Sequence, residues 1–308
     1  MSIVPVLSQM GLLFFVAALG FVAAKVGLMD EKANKQIAGI VLNITLPVSV
    51  LYSSFNTERT LSNSQVFVFL LISAATCLAA TLFAKLVLPV CRVRPEQRGI
   101  CSFEILFTNG AFIGYPFLRV MFGESAVFFG ALLSMVCMIY SYTYGVYLIK
   151  GQTDRDAVRL KDVFSPVLVS SLVGLLLYLL KFSMPSYGLK LLAYVDQMTG
   201  PLSMLMIGSS MAFARFEKKK NSTGFYVAVL LRMLILPVLI KLAGKALGVN
   251  ELAINIEAVL MAMPAPASTT MFCAKYDKDQ ALSSSGVVVS TLALVATLPI
   301  VYKIIMMI

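Results

Sequence analysis

Apolar runs of about 20 residues, the length a helix needs to cross a hydrocarbon core of about 30 Å, follow one another along the whole sequence with no large polar segment between them. A soluble domain has no place for so many, because a helix that is apolar all round must be buried in protein or lipid. Composition agrees: 59% of the 308 residues are hydrophobic and 13% charged, above and below the ranges of soluble domains. The runs predict an all-α integral membrane protein of ten transmembrane helices, at 4–28, 33–55, 64–90, 99–122, 125–149, 163–182, 189–213, 223–247, 252–275 and 281–306. The first run lacks a basic leader and a small-residue cleavage site, so it reads as a retained helix rather than a signal peptide.

Histidine is absent, which removes imidazole relays, Ser-His triads and histidine-ligated haem or zinc together. The five cysteines, Cys77, Cys91, Cys101, Cys137 and Cys273, lie in or beside apolar runs without metal-ligand or disulfide-framework spacing. An enzyme, a cofactor and a metal are therefore not expected. The net charge of +10 sits in short connections between runs rather than on one amphipathic face, so topology explains it and nucleic acid does not. Most Lys and Arg follow the odd-numbered spans. The other side holds Arg59, Arg119, Lys181, Lys190, Lys241, Lys245 and Lys303, with Arg232 inside the eighth run. Both termini are expected on the non-cytoplasmic side of the cytoplasmic membrane. The lysine run 218–220 reads as a topology anchor.

The charged stretch 150–162 divides the chain into halves, 1–149 and 163–308, each with five expected spans. An offset of 154 sets Asn43, Thr45, Pro47, Ser49 and Leu51 on Gln197, Thr199, Pro201, Ser203 and Leu205. An offset of 155 sets Asn109 on Pro264, and one of 161 aligns Pro5-Val6-Leu7 with Pro166-Val167-Leu168. Shared order across spans points to an internal repeat. Five is odd, so the second half enters the membrane from the opposite side and the repeat is inverted. Inverted repeats characterise secondary transporters, whose substrate lies near the midplane where discontinuous helices meet.

Two apolar runs carry helix-breaking residues at matched places. The fourth holds Thr108-Asn109-Gly110-Ala111-Phe112-Ile113-Gly114-Tyr115-Pro116, and the ninth holds Met263-Pro264-Ala265-Pro266-Ala267-Ser268. Proline lacks an N–H donor and clashes with the carbonyl four residues back, and each Gly costs about 1 kcal/mol relative to Ala in a helix. Freed backbone groups are tolerated at that depth only inside protein or beside a wet cavity, and restarting helices offer N–H groups to an anion. Candidate substrate contacts are Asn109, Gly110, Gly114, Pro116, Pro264, Ala265, Pro266, Ser268 and Thr269, with Asn43 and Tyr144 as outlying members.

Asn109 presents an acceptor and a donor suited to a carboxylate or hydroxyl. Asn43, Thr45, Gln197 and Thr199, ahead of Pro47 and Pro201, are placed to bond between helices. Glu104 and Glu257 precede their breaks at similar distances and are candidates for proton coupling; Arg232 is a candidate ion-pair partner for one of them, or for a substrate carboxylate. Arg119 and Lys275 read as cations near the C-terminal ends of the broken helices. Tyr140, Tyr142, Tyr144 and Tyr147 line the fifth run, which fits an interface belt or a hydroxyl offered to the site.

Asn109-Gly110 with Gly114-Tyr115-Pro116, Met263-Pro264 with Ala274-Lys275-Tyr276, Pro201-Leu202 with Ile207-Gly208, and Leu298-Pro299-Ile300 together resemble the auxin efflux carrier family, which holds plant auxin carriers and bacterial malate and malonate permeases. The resemblance covers nearly the whole chain. It implies two inverted five-helix repeats, broken helices 4 and 9 that cross, a scaffold domain and a transport domain, and elevator-like movement of small organic anions such as carboxylates. Ala265 stands where plant relatives carry Gln, and Ser165 where Asn is frequent, so auxin itself is not the expected substrate. Expected partners are the organic anion and membrane lipids. A coupling ion, proton or sodium, and a homodimer stay open, as do a sodium- or proton-coupled carrier for a hydrophobic acid or cation and a channel.

Overall fold

The computed structural model describes residues 3–56, 63–151, 164–213 and 222–308, and over these the chain is helical, with no strand among the described residues. Arg59, residues 152–162 of the connecting stretch and the lysine run 218–220 lie outside the described residues. Six described stretches are long and apolar enough to cross a membrane: Glu31–Asn56, Val66–Val90, Pro95–Phe122, Ser125–Lys150, Thr223–Ala246 and Gln280–Met307; Gly11–Lys25 and Pro166–Leu179 are shorter and apolar. Leu78, Leu82 and Leu86 stand 62%, 60% and 68% exposed along α4 (Asn63–Val90). So apolar a surface belongs against lipid. The protein is an all-α, multi-pass membrane protein.

Contacts divide the chain into two compact units that interleave along the sequence. The first comprises Met1–Leu70, Ala111–Met135 and Phe164–Phe213. In it α1 (Ile3–Lys25) packs along α10 (Ser186–Phe213). Reciprocal glycines set that approach: a Cβ on Gly20 would collide with the Leu205 carbonyl, and one on Gly208 with the Ala17 carbonyl, the small-residue contact by which membrane helices gain van der Waals packing. The segment α2 (Glu31–Ile40) begins where the Asp30 carboxylate accepts from the Ala33 N–H at 2.6 Å, then passes through a wide turn, Val41–Thr45, into α3 (Leu46–Asn56). That turn ends two residues before Pro47, whose missing N–H would otherwise leave a gap in the ladder.

Helix α9 (Pro166–Leu179) packs on α3 in the same unit. Its first turn is closed by Ser165, whose hydroxyl accepts from the Leu168 N–H at 3.2 Å, with Pro166 at the position where a lost donor costs least. Ser165 is thus a helix cap. Thr45 and Thr199 are buried, but their hydroxyls have no hydrogen-bond partner among the described residues; the expected bonds between helices are absent. Asn34 bonds between helices instead: Ser209 donates to its carbonyl at 2.5 Å, and its amide donates to Ser210 at 2.8 Å.

The second unit comprises Leu71–Gly110, Val136–Val163 and Ala214–Ile308. Its centre is α11 (Thr223–Ala246), packed against α5 (Arg98–Leu106), α12 (Glu251–Ala262) and α14 (Gln280–Met307). The side-chain carbonyl of Asn250 accepts from the Ala253 N–H to start α12, and Asp279 accepts from the Leu282 N–H to start α14. A Cβ on Gly99 would meet the Leu148 carbonyl, so α5 lies backbone-close to α8 (Val146–Lys150).

Candidate functional site

Two interruptions of helix meet inside the second unit. The first follows α5: Phe107 turns extended at φ −115° and ψ 154°, residues 107–109 are not helical, and the chain restarts through a wide turn, Gly110–Gly114, into α6 (Tyr115–Phe122). Pro116 lies near the start of α6, where proline fits. The break therefore sits upstream of Pro116, at Asn109, and the wide turn ends two residues before the proline, as the other does before Pro47.

The second interruption follows α12. Met263 is extended at φ −65° and ψ 154°, as a residue before proline must be, and α13 (Ser268–Lys275) begins after residues 263–267. The Asn109 backbone N–H donates to the Pro264 carbonyl at 2.8 Å, so the two breaks touch. The Ala265 N–H donates to the Ser290 hydroxyl of α14 at 3.1 Å. Thr269 is buried, and its hydroxyl donates to the Pro266 carbonyl at 2.8 Å. No side chain caps α13, and in its first turn the Thr269 N–H donates to the Pro266 carbonyl at 3.1 Å.

Arg232, in the interior of α11, is wholly buried. Its Nη1 donates to the carbonyls of Met261 at 2.8 Å and Met263 at 2.5 Å, and its Nη2 to those of Glu104 at 2.9 Å and Phe107 at 3.1 Å. These are the carbonyls that a helix leaves without intrahelical donors at its C-terminal end, one from the last turn of α5 and one from the last turn of α12, each with that of the residue just past the helix. One guanidinium thus closes both half-helices at the point where each stops. Among the described residues these carbonyls, and no carboxylate, accept its hydrogen bonds, while the Glu104 carboxyl is its charged neighbour.

Glu104 and Glu257 are buried. Both side-chain oxygens of Glu104 and one of Glu257 have no hydrogen-bond partner among the described residues. The Glu104 carboxyl lies against Gly286 of α14, where any Cβ would strike it, and Arg232 is the charged neighbour acting on it. Glu257 faces the Thr76 hydroxyl.

Among the expected contacts, Asn109, Gly110, Pro264, Ala265, Pro266, Ser268 and Thr269 belong to the second unit. Asn109 is 7% exposed, and its side-chain amide takes no partner among the described residues. Gly114 and Pro116 belong to the first unit, as does Asn43, which is exposed and gives its amide to the Gly39 carbonyl of its own helix at 2.8 Å. Tyr144 is half-buried in the wide turn Ser141–Gly145, its ring stacked between Tyr140 at 5.0 Å and Tyr147 at 6.1 Å. Lys275 lies over the Tyr276 ring. Ser290 and Gly286 were not anticipated; the signal was the run of small polar residues 283–286 with Ser290 one turn further, on an otherwise apolar helix.

Residues 5–302 match the membrane transport protein family. An uncharacterised transporter of Methanocaldococcus jannaschii is 24% identical over 89% of this chain and 90% of its own length. Another, from Methanothermobacter thermautotrophicus, is 22% identical over 92% of both. With the family matched from end to end, the chain belongs to the membrane transport protein family, that of the auxin efflux carriers.

Proposed function

We propose that this protein is a secondary active carrier of small organic anions such as carboxylates, working across the cytoplasmic membrane by elevator-like alternating access. Its ten spans form two inverted repeats, 1–149 and 163–308, joined by the cytoplasmic stretch 150–162. The observation that carries this reading is Asn109: a buried residue whose side-chain amide takes no partner among the described residues, on the segment that touches the Pro264 break. A carboxylate would accept from that amide, near the positive dipole end of α13, whose start no side chain caps. Ser268 and Thr269 flank it.

Proton coupling is the second reading, supported by the buried Glu104 carboxyl with no hydrogen-bond donor among the described residues; a carboxylate left so is costly in its charged form. Uptake of radiolabelled mono- and dicarboxylates into proteoliposomes, with proton or sodium gradients imposed in turn, tests both. Uptake of no organic anion defeats the carrier reading, and uptake indifferent to a proton gradient defeats the coupling. Cysteines placed in 150–162 should resist labelling from outside intact cells; outside labelling contradicts the orientation.

A further inference from the structure

Carriers built from broken helices hold their coupling cation where half-helix C-termini and unwound carbonyls converge. In this protein four such carbonyls, of Glu104, Phe107, Met261 and Met263, converge instead on the two terminal nitrogens of Arg232. The guanidinium brings a positive charge to two negative dipole ends, in the geometry that five fixed donors allow and a single ammonium does not. It is wholly buried.

Resting on the reading of the paired break as the transport site, we infer that Arg232 is the resident cation of that break: a positioning residue that fills, through a covalent tether, the carbonyl-lined place an alkali cation would otherwise take. The half-helices are then held without sodium. Of the two coupling ions, sodium has no vacant place at these carbonyls, while a proton still has the Glu104 and Glu257 carboxyls. Glu104 shares its residue with one of the capped carbonyls, so the Arg232 charge and the Glu104 carboxyl are parts of one arrangement.

The test is thermal melting of the purified protein in sodium chloride against N-methyl-D-glucamine chloride at matched ionic strength. Wild type and Arg232→Lys, which keeps the charge, should melt alike in the two salts. The neutral variants Arg232→Ala and Arg232→Gln should melt lower. They should regain about 3 °C or more in sodium or in non-denaturing guanidinium, the shift expected of a ligand at about ten times its Kd. Sodium stabilisation of the wild type overturns the inference, as do neutral variants that melt like the wild type and ignore both cations. Should neither neutral variant fold, the wild type decides: sodium indifference supports the inference and sodium stabilisation overturns it. No organic anion enters this assay, so its failure leaves the carrier reading standing, and a failed uptake assay leaves the cation assay interpretable.

Discussion

Two arginines of the described helices, Arg119 in the first unit and Arg232 in the second, are held by opposite chemistry. Arg119, near the end of α6, bonds carboxylates: its Nη2 reaches Asp196 at 2.5 Å and the Ser49 hydroxyl at 3.2 Å, while its Nε reaches Glu124 at 2.9 Å. Arg232 bonds four backbone carbonyls and, among the described residues, no carboxylate. The first is an ion pair between helices, which ties α6 to α10 but holds no broken end. The second does what several capping residues would do elsewhere, and it does so only because α5 and α12 stop at one place. A cation inside a membrane protein is thus a marker of function when backbone is what it serves, and a marker of helix association when side chains are.

That contrast is broken most severely by Arg232→Met, which removes the charge and all four donors while leaving apolar bulk. Each buried acceptor left without a donor costs about 1–3 kcal/mol, so we expect at least about 3 kcal/mol of lost stability, measured by unfolding in mixed micelles. A loss below about 1 kcal/mol would mean that water or other donors reach those carbonyls. Asp196→Asn comes next: a buried partner loses its charge but keeps an acceptor, for an expected loss of about 2 kcal/mol. An effect equal to that of Arg232→Met would erase the distinction between the two arginines.

Ser290→Ala takes the acceptor from the Ala265 N–H, and should cost about 1 kcal/mol. Glu124→Gln alters an ion pair whose acid is half exposed; it should cost less than about 1 kcal/mol. If Glu124→Gln exceeds Ser290→Ala, surface charge rather than backbone satisfaction governs this protein, and the comparison fails.

Helix, lipid exposure and the two breaks were legible in the sequence because they follow from local chemistry: apolar length for the spans, and proline with glycine for the interruptions at Asn109 and Pro264. Local rules also misplaced one detail. Pro116 looks like the breaker, yet a proline near a helix start costs little, and the chain is non-helical over residues 107–109, ahead of Gly110. The partners of Arg232 were not legible at all. An isolated arginine in an apolar run predicts an ion pair, since carboxylates are visible in sequence; carbonyls belong to every residue, and only the folding of α5 and α12 against α11 selects four of them. Asn43 fails in the same way. It precedes a proline in an attractive register with Gln197, but its amide closes on Gly39, one turn back.

Whether the paired break holds an organic anion is most directly settled by a melting-temperature screen of small mono- and dicarboxylates against the wild type and Asn109→Ala. The Asn109 amide makes no protein hydrogen bond among the described residues, so the variant should fold with wild-type stability. At least one carboxylate should raise the wild-type melting temperature, and Asn109→Ala should bind it about tenfold or more weakly, the loss of one to two hydrogen bonds to a charged group. If no organic anion stabilises the wild type, or if Asn109→Ala binds with undiminished affinity, the paired break is not the substrate site.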